Sequence, residues 1–117
     1  MPNKRTIDLL TESFKDEMTL RRKFEIKDTQ GNVTVTLYFK PITRFDRVKA
    51  QQLANSDEAL NVSTQLLCQM AEKEDGSKAF SMADMPDLQR LIPEKILNEL
   101  ELFLHDINLD VETAKKE

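Results

Sequence analysis

The clearest pattern in the chain is an alternation of apolar and polar side chains between Val33 and Phe39. This period of two is typical of a β-strand with one buried face. An earlier segment carries Leu20, Phe24 and Ile26 on one face, and Gly31 lies between the two segments, where it can adopt the positive φ of a tight turn. The pattern therefore predicts a β-hairpin over about residues 18–40.

The strand is followed directly by a helix start. Pro41 cannot donate a hydrogen bond to a sheet and biases Lys40 toward extended backbone, so we expect the strand to end there. Thr43 and Asp46 have the spacing of a capping box, in which each side chain binds a backbone amide near the start of the helix. This spacing predicts a helix over about residues 44–54.

Three further segments have helical character. Asn55 and Glu58 resemble a second capping box, which predicts a helix to about Lys73 with the stripe Leu60, Ser63, Leu66, Leu67, Met70 and Ala71. A cap at Ser81 opens a helix that Pro86 keeps short or kinked. Pro93 suits the first position of the last helix. That helix has the most regular apolar stripe: Ile96, Leu97, Leu100, Phe103, Leu104 and Ile107.

Together these elements predict an α+β fold, with an N-terminal β-hairpin packed against three to four helices. With 117 residues, two glycines and 39% hydrophobic residues, the chain fits a single domain over residues 1–117. We expect residues 1–17 to be a mobile segment or a short helix near Ile7–Phe14. Residues 108–117 are expected to form a frayed tail.

The charge is distributed unevenly. Residues 1–56 carry a net charge of +4 and residues 57–117 a net charge of −8. The basic half raises the possibility of nucleic-acid binding, but no aromatic cluster accompanies its basic residues as a stacking platform. Solvated charges on a protein-binding domain are the favoured interpretation.

The residue chemistry favours a protein without a catalytic, cofactor or metal site. His105 is the one histidine and is expected on the polar side of the last helix, and Cys68 is the one cysteine and is expected to be a buried thiol. A structural zinc site needs more ligands of these types. No apolar run reaches the roughly 20 residues that span a bilayer, and no leader segment is recognisable. These observations predict a cytosolic binding protein.

A thin apolar line on the polar side of the last helix is a candidate contact surface. Leu102 lies about 200° around the helix from the centre of its stripe, and Leu109 follows seven residues later. Asn98 and His105 share this side. Isolated exposed leucines are common, so a partner-binding role for this line is a hypothesis.

Two segments carry a resemblance to a known family. The run from Val33 to Val48 resembles the strand-to-helix junction of tail assembly chaperones from long-tailed (siphovirus-type) bacteriophages. It shares with them a strand, then Lys40-Pro41 and Thr43-Arg44, and then a helix. The segment Leu91–Leu100 is similar to the closing proline–helix segment of those proteins. The resemblance covers roughly residues 18–107.

The resemblance implies a specific role. Such chaperones act in the bacterial host cytoplasm, bind the tape measure protein, help to recruit tail tube subunits, associate with themselves and are absent from the mature virion. A ribosomal frameshift near the end of the gene often produces a longer form, and Lys115-Lys116 could be encoded by a slippery run. The predicted contact regions are the last helix and the Lys40–Arg47 junction, with the residues Lys40, Pro41, Thr43, Arg44 and Arg47.

Three alternatives remain open from the sequence. A cytosolic adaptor or regulatory protein that binds one client helix would have the same composition. A minor structural tail subunit would be found in purified particles. A nucleic-acid binder would use Lys4, Arg5, Arg21, Arg22 and Lys23, with an affinity that falls steeply with salt.

Overall fold

The computed structural model describes residues 4–105. Ile107, Leu109 and the possible frameshift site at Lys115-Lys116 therefore lie outside the described residues. Within them the order of elements is α1 (Thr6–Thr19), β1 (Arg22–Lys27), β2 (Val33–Phe39), α2 (Arg44–Ala54), α3 (Ala59–Met70), a 3₁₀ turn (Met82–Asp84), α4 (Met85–Leu91) and α5 (Glu94–Leu104). A two-stranded antiparallel hairpin followed by four helices confirms the predicted α+β fold.

The hairpin pairs as the alternation predicts. Phe24 faces Leu37 and Ile26 faces Val35, so the apolar residues of both strands share one face. In the turn, Gly31 adopts a φ of 87°. Leu37 is buried whereas Val35 is exposed, because the turn end of the hairpin extends past the core. Leu20 lies before β1 and is exposed, so its predicted place on the buried strand face is wrong.

The strand-to-helix junction also matches its prediction. The backbone amide of Asp46 donates to the Thr43 hydroxyl, and the amide of Thr43 donates to the Asp46 carboxylate, which completes the capping box. The helix runs from Arg44 to Ala54. Local side-chain chemistry therefore fixes where α2 begins.

The start of α3 differs from the prediction. Asn55 adopts a left-handed conformation with φ of 51° and terminates α2, so it does not cap the next helix. The next helix begins at Ala59, and the Ser56 hydroxyl accepts a hydrogen bond from the Glu58 amide just before it. Asparagine suits either kind of cap, and the sequence spacing favoured the wrong one.

The buried part of α3 is wider than the predicted stripe and begins later. Leu66, Leu67 and Ala71 are buried as predicted, but Leu60 is exposed, and Thr64, Gln65 and Cys68 are buried as well. The helix ends at Met70, three residues early, because Glu72 becomes extended and exchanges two backbone hydrogen bonds with Tyr38 of β2. The chain after α3 thereby attaches to the hairpin edge.

The last two helices are short and follow their prolines. The Ser81–Asp84 capping box is present, and Pro86 lies in the first turn of the seven-residue α4. Pro93 precedes α5 as its N-cap residue, one position earlier than predicted.

The core lies between β2, α3, α4 and α5. Its buried apolar residues are Leu37, Phe39, Ala50, Leu66, Leu67, Cys68, Ala71, Leu88, Leu97, Leu100 and Leu104. The ring of Phe103 on α5 lies 5.0 Å from that of Phe24 and 6.0 Å from that of Phe39, measured between centroids. These ring contacts fasten the hairpin to the last helix.

Candidate protein-binding surfaces

The N-terminal helix α1 leaves its apolar side uncovered. Ile7, Leu10, Phe14 and Met18 follow the spacing of a single helix face, and all four are exposed. No residue of this 14-residue helix is buried. Isolated helices of this length are marginal in water, because most helices in proteins gain their stability from packing of an apolar face. The α1 stripe, defined as these four residues, is therefore a candidate contact surface.

A second uncovered face lies on α2. Phe45 is 72% exposed, and Val48 lies one turn further on the same side. Arg44 and Lys49 flank these two side chains on the helix surface. We call this the α2 outer face. It is apolar at its centre and basic at its edges.

A third surface is an open groove beside α4, with a volume of about 340 Å³. Its walls are mainly apolar, and its rim carries two carboxylates, Asp84 and Asp87. The lining residues are Ala79, Phe80, Asp84, Asp87, Leu88, Leu91 and Ile92. We call this the α4 groove. Leu91 is 72% exposed at its edge and is free to pack against another chain.

The structure brings two of the sequence-predicted site residues together. Arg47 on α2 and His105 at the end of α5 line one surface pocket of about 250 Å³. His105 is half-buried, not on a fully solvated side as the sequence suggested. Burial lowers the pKa of His105, and the positive charge of Arg47 lowers it further. This pocket links the two predicted contact regions.

The other predicted residues are spread over the molecule. Lys40 and Arg44 are exposed, and Pro41 lines a separate pocket with Glu17, Leu20 and Arg22. The hydroxyl of Thr43 is engaged in the capping box. Asn98 is exposed and Leu102 is half-buried. Leu109, which would extend the predicted line from Leu102, lies outside the described residues.

Three of the basic residues considered for nucleic-acid binding, Arg21, Arg22 and Lys23, have partners inside the chain. The guanidinium of Arg21 lies 4.7 Å from the centroid of the Tyr38 ring, and its Nε lies 3.2 Å from a Glu72 carboxylate oxygen. The guanidinium of Arg22 lies 5.8 Å from the centroid of the Phe103 ring. Lys23 lies beside Glu25 on β1. Because these side chains pack against rings and carboxylates of their own chain, they are less available to contact phosphate groups. This weakens the nucleic-acid alternative.

The Arg21 guanidinium also holds the segment after α3. Its two terminal nitrogens donate to the backbone carbonyls of Lys73 and Glu74, at 2.5 and 2.9 Å. A planar guanidinium can make such paired hydrogen bonds and stack on an aromatic ring at the same time. Arg21 therefore connects β1 with the segment that follows α3.

The described residues carry little that could perform chemistry. Cys68 is buried, and burial, followed by the nearby charge of Asp84, raises the pKa of its thiol to about 11. Such a thiol stays protonated near neutral pH, whereas a reactive cysteine has a lowered pKa. Within residues 4–105 no three His, Cys, Asp or Glu side chains are placed to hold a metal ion. In the same range we find no helix whose length and apolar character would let it span a bilayer.

Sequence reasoning missed two of the surfaces described above. The α1 stripe was detectable, because Ile7, Leu10, Phe14 and Met18 are spaced by three, four and four residues. The α4 groove was not, because its walls come from an irregular segment and two short helices whose packing the pattern does not specify. Exposure of the α2 outer face also depends on which side of α2 meets α3.

Comparison with known proteins gives one similar structure. No protein-family model matches the chain, and no curated protein matches it. The chain is similar to the solved structure of the bacteriophage HK97 tail assembly chaperone, with 13% identity and a TM-score of 0.49, over 85% of this chain and 96% of that one. At these values the likeness does not assign a family or a function, so the proposal below rests on the surfaces and the sequence segments.

Proposed function

We propose that this chain is a non-enzymatic phage tail assembly chaperone. In this proposal it binds the tape measure protein in the bacterial host cytoplasm, helps to recruit tail tube subunits, and is absent from the mature virion. The observation that carries the proposal is the apolar surface that the described residues leave uncovered, at the α1 stripe, the α2 outer face and the α4 groove. Exposed apolar patches on small soluble domains mark contacts with other proteins.

The two segments that resemble the chaperone family supply part of this surface. The first segment ends on α2 and contributes Phe45 and Val48 of the α2 outer face. The second begins at Leu91 and contributes Leu91 and Ile92 of the α4 groove. The sequence resemblance and the uncovered surface therefore point to the same two regions.

The α4 groove indicates the chemistry of the client. Its apolar walls suit one or two large apolar side chains from a helical segment. Asp84 and Asp87 at the rim favour Lys or Arg next to those side chains. We therefore expect the client segment to be an amphipathic helix with basic residues flanking its apolar face. Its binding should weaken as salt increases, because Asp87 at the rim is exposed to solvent and Asp84 is only half-buried.

The pocket shared by Arg47 and His105 is a candidate for a second contact. Its lining is more polar than that of the α4 groove and includes Gln51, Asp57 and Ser63. A partner there would be held mainly by hydrogen bonds and charge. The sequence-predicted contact residues on α5 and at the Lys40–Arg47 junction stay predictions for this second site.

Co-expression with the tape measure protein of the same phage tests the client site. We expect the tape measure protein to stay soluble and to co-purify with the wild-type chain. The variant Leu91→Asp should reduce the co-purified amount about tenfold or more, since a charge would replace a central apolar contact. The matched control is Leu60→Asp, which changes a leucine of similar exposure, 66% against 72%, outside the groove.

Retention of the tape measure protein by Leu91→Asp at the wild-type level would remove the α4 groove as the client site. Failure of the wild-type chain to bind or solubilise the tape measure protein would contradict the proposed function itself. Stoichiometric binding to one cytosolic host protein instead would favour the adaptor alternative.

The gene supplies an independent check. A slippery run at the codons of Lys115-Lys116, an overlapping −1 frame and a long helical reading frame downstream would support the chaperone assignment. A sequence without a slippery run there would remove the longer frameshifted form from the proposal.

A further inference from the structure

The chain leaves α5 beside a pocket that its next residues can reach. His105 is the last of the described residues, and it lines the pocket of about 250 Å³ together with Arg47 and Gln51 of α2. Ile107 is two residues further along the chain, which places it within roughly 7 Å of His105. The residues that follow α5 are therefore tethered next to this pocket at a high effective concentration.

The segment that follows, residues 106–112, has an apolar and an acidic set of positions in its sequence. Every second residue is apolar: Ile107, Leu109 and Val111. In an extended chain these side chains point the same way, roughly 7 Å apart. The positions between them include three acids and no base: Asp106, Asp110 and Glu112. The segment thus combines an apolar row with a net charge of −3, and the basic Lys115 and Lys116 come after it.

The α2 wall of the pocket supplies positive charge without a partner. Arg44 and Arg47 lie about one turn apart, and neither forms an ion pair with any carboxylate of residues 4–105. The carboxylate of Asp46, the acid of α2, is bound in the capping box. Asp57 on the opposite wall accepts a hydrogen bond from Gln51 at 3.2 Å and keeps its negative charge. An acidic segment is therefore attracted to the α2 wall and repelled from the opposite one.

Apolar side chains lie along the same wall. Half-buried Val62 lines the pocket next to His105. Val48 is 43% exposed and lies about 100° around α2 from Arg47, just beyond the pocket. Two apolar side chains spaced by two residues can therefore contact first Val62 and then Val48.

We propose that residues 106–112 dock along α2 of their own chain. Ile107 occupies the pocket beside Val62, Leu109 packs on Val48, and the acids lie beside Arg44 and Arg47. A partner that binds the pocket of Arg47 and His105 must then displace this segment first. Only that consequence rests on the proposed function, since the docking itself concerns the chain alone.

Disulfide formation between introduced cysteines in the full chain tests the docking. The double variant Val48→Cys, Leu109→Cys is equilibrated with reduced and oxidised glutathione at micromolar protein concentration. We expect its internal disulfide to form with an effective concentration at least about tenfold above that of the control Leu53→Cys, Leu109→Cys. Leu53 has a similar exposure to Val48, 51% against 43%, but lies about 140° around α2 from it, on the side away from Gln51.

Two further controls isolate the cause of the cross-link. Cys68 is buried, so the single variant Leu109→Cys should form no internal disulfide. In the Val48→Cys, Leu109→Cys background, Arg44→Gln combined with Arg47→Gln should lower the effective concentration severalfold. Lys49→Gln should leave it unchanged, because Lys49 lies on the far side of Val48 from Arg47.

Equal effective concentrations for the Val48 and Leu53 pairs would overturn the proposal. A disulfide between Val48→Cys and Leu109→Cys that joins two chains would also overturn it, because the segment would then lie on another copy. Unchanged circular dichroism would establish that the variants fold, since none of the replaced α2 side chains is buried. None of these results involves the tape measure protein, so a failure here is distinguishable from a failure of the proposed function.

Discussion

Helices α1 and α5 have similar sequence patterns, but α5 buries its apolar side and α1 leaves its apolar side exposed. Both are amphipathic, and both carry apolar residues at helical spacing. On α5 the residues Leu97, Leu100 and Leu104 are buried in the core, whereas no residue of α1 is buried. A periodic apolar stripe therefore indicates that a helix will pack against a partner. It does not indicate whether that partner is in the same chain.

The difference between the two helices predicts very different costs for the same substitution. Leu100→Ala should lower the free energy of unfolding by about 2–5 kcal/mol, because it leaves a cavity in the core. Leu10→Ala should change it by less than about 0.5 kcal/mol in the isolated chain, because this side chain is exposed. Urea unfolding followed by circular dichroism measures both. A comparable loss in the two variants would mean that α1 packs on its own body.

The linker between α1 and β1 should be the next most sensitive place. Arg21→Ala removes the ion pair with Glu72, the stacking on Tyr38 and two hydrogen bonds to backbone carbonyls. We expect a loss of about 2 kcal/mol in the free energy of unfolding, since hydrogen bonds from charged groups contribute about this much. Lys23→Ala is a suitable control, because Lys23 is exposed and pairs only loosely with Glu25. An Arg21→Ala chain as stable as the control would show that Arg21 does not fix the α1 linker.

The smallest expected effect concerns the end of α5. Burial first, and the charge of Arg47 second, lower the pKa of His105 below 6.5 in the folded chain. The unfolded chain therefore binds a proton more readily, and the stability contributed by neutral His105 is present above about pH 6.5 and is lost as the pH falls through the folded pKa. His105→Asn should flatten this part of the stability profile between pH 7 and pH 5.

The chain contains a single histidine, so its NMR titration reports this pKa directly. The Arg47→Gln variant should raise the pKa of His105 toward its ordinary value. A wild-type pKa at or above 6.5 would contradict the half-buried position of the ring next to Arg47.

Local signals explain what could be predicted from the sequence. The hairpin, the capping boxes at Thr43 and Ser81 and the short α4 follow from side chains that act on their own neighbourhood. The buried face of α3 could not be predicted in the same way. Thr64 and Gln65 are buried there through tertiary packing, while the apolar Leu60 is exposed.

The candidate surfaces were less predictable than the fold. Arg21 read as a free basic residue in the sequence, because its partners Glu72 and Tyr38 are distant along the chain. Arg47 and His105 were each named from separate patterns, and their common pocket appears only once α2 and α5 are assembled. Contacts of this kind depend on long-range geometry that periodicity does not contain.

The composition of tail assembly intermediates and of finished tails tests the central claim most directly. Quantitative mass spectrometry should find this chain together with the tape measure protein in extracts of infected cells, and should not find it in purified mature particles. If mature particles contained this chain at a fixed ratio to the tail tube protein, that result would contradict the chaperone account. It would identify the chain as a structural subunit of the tail.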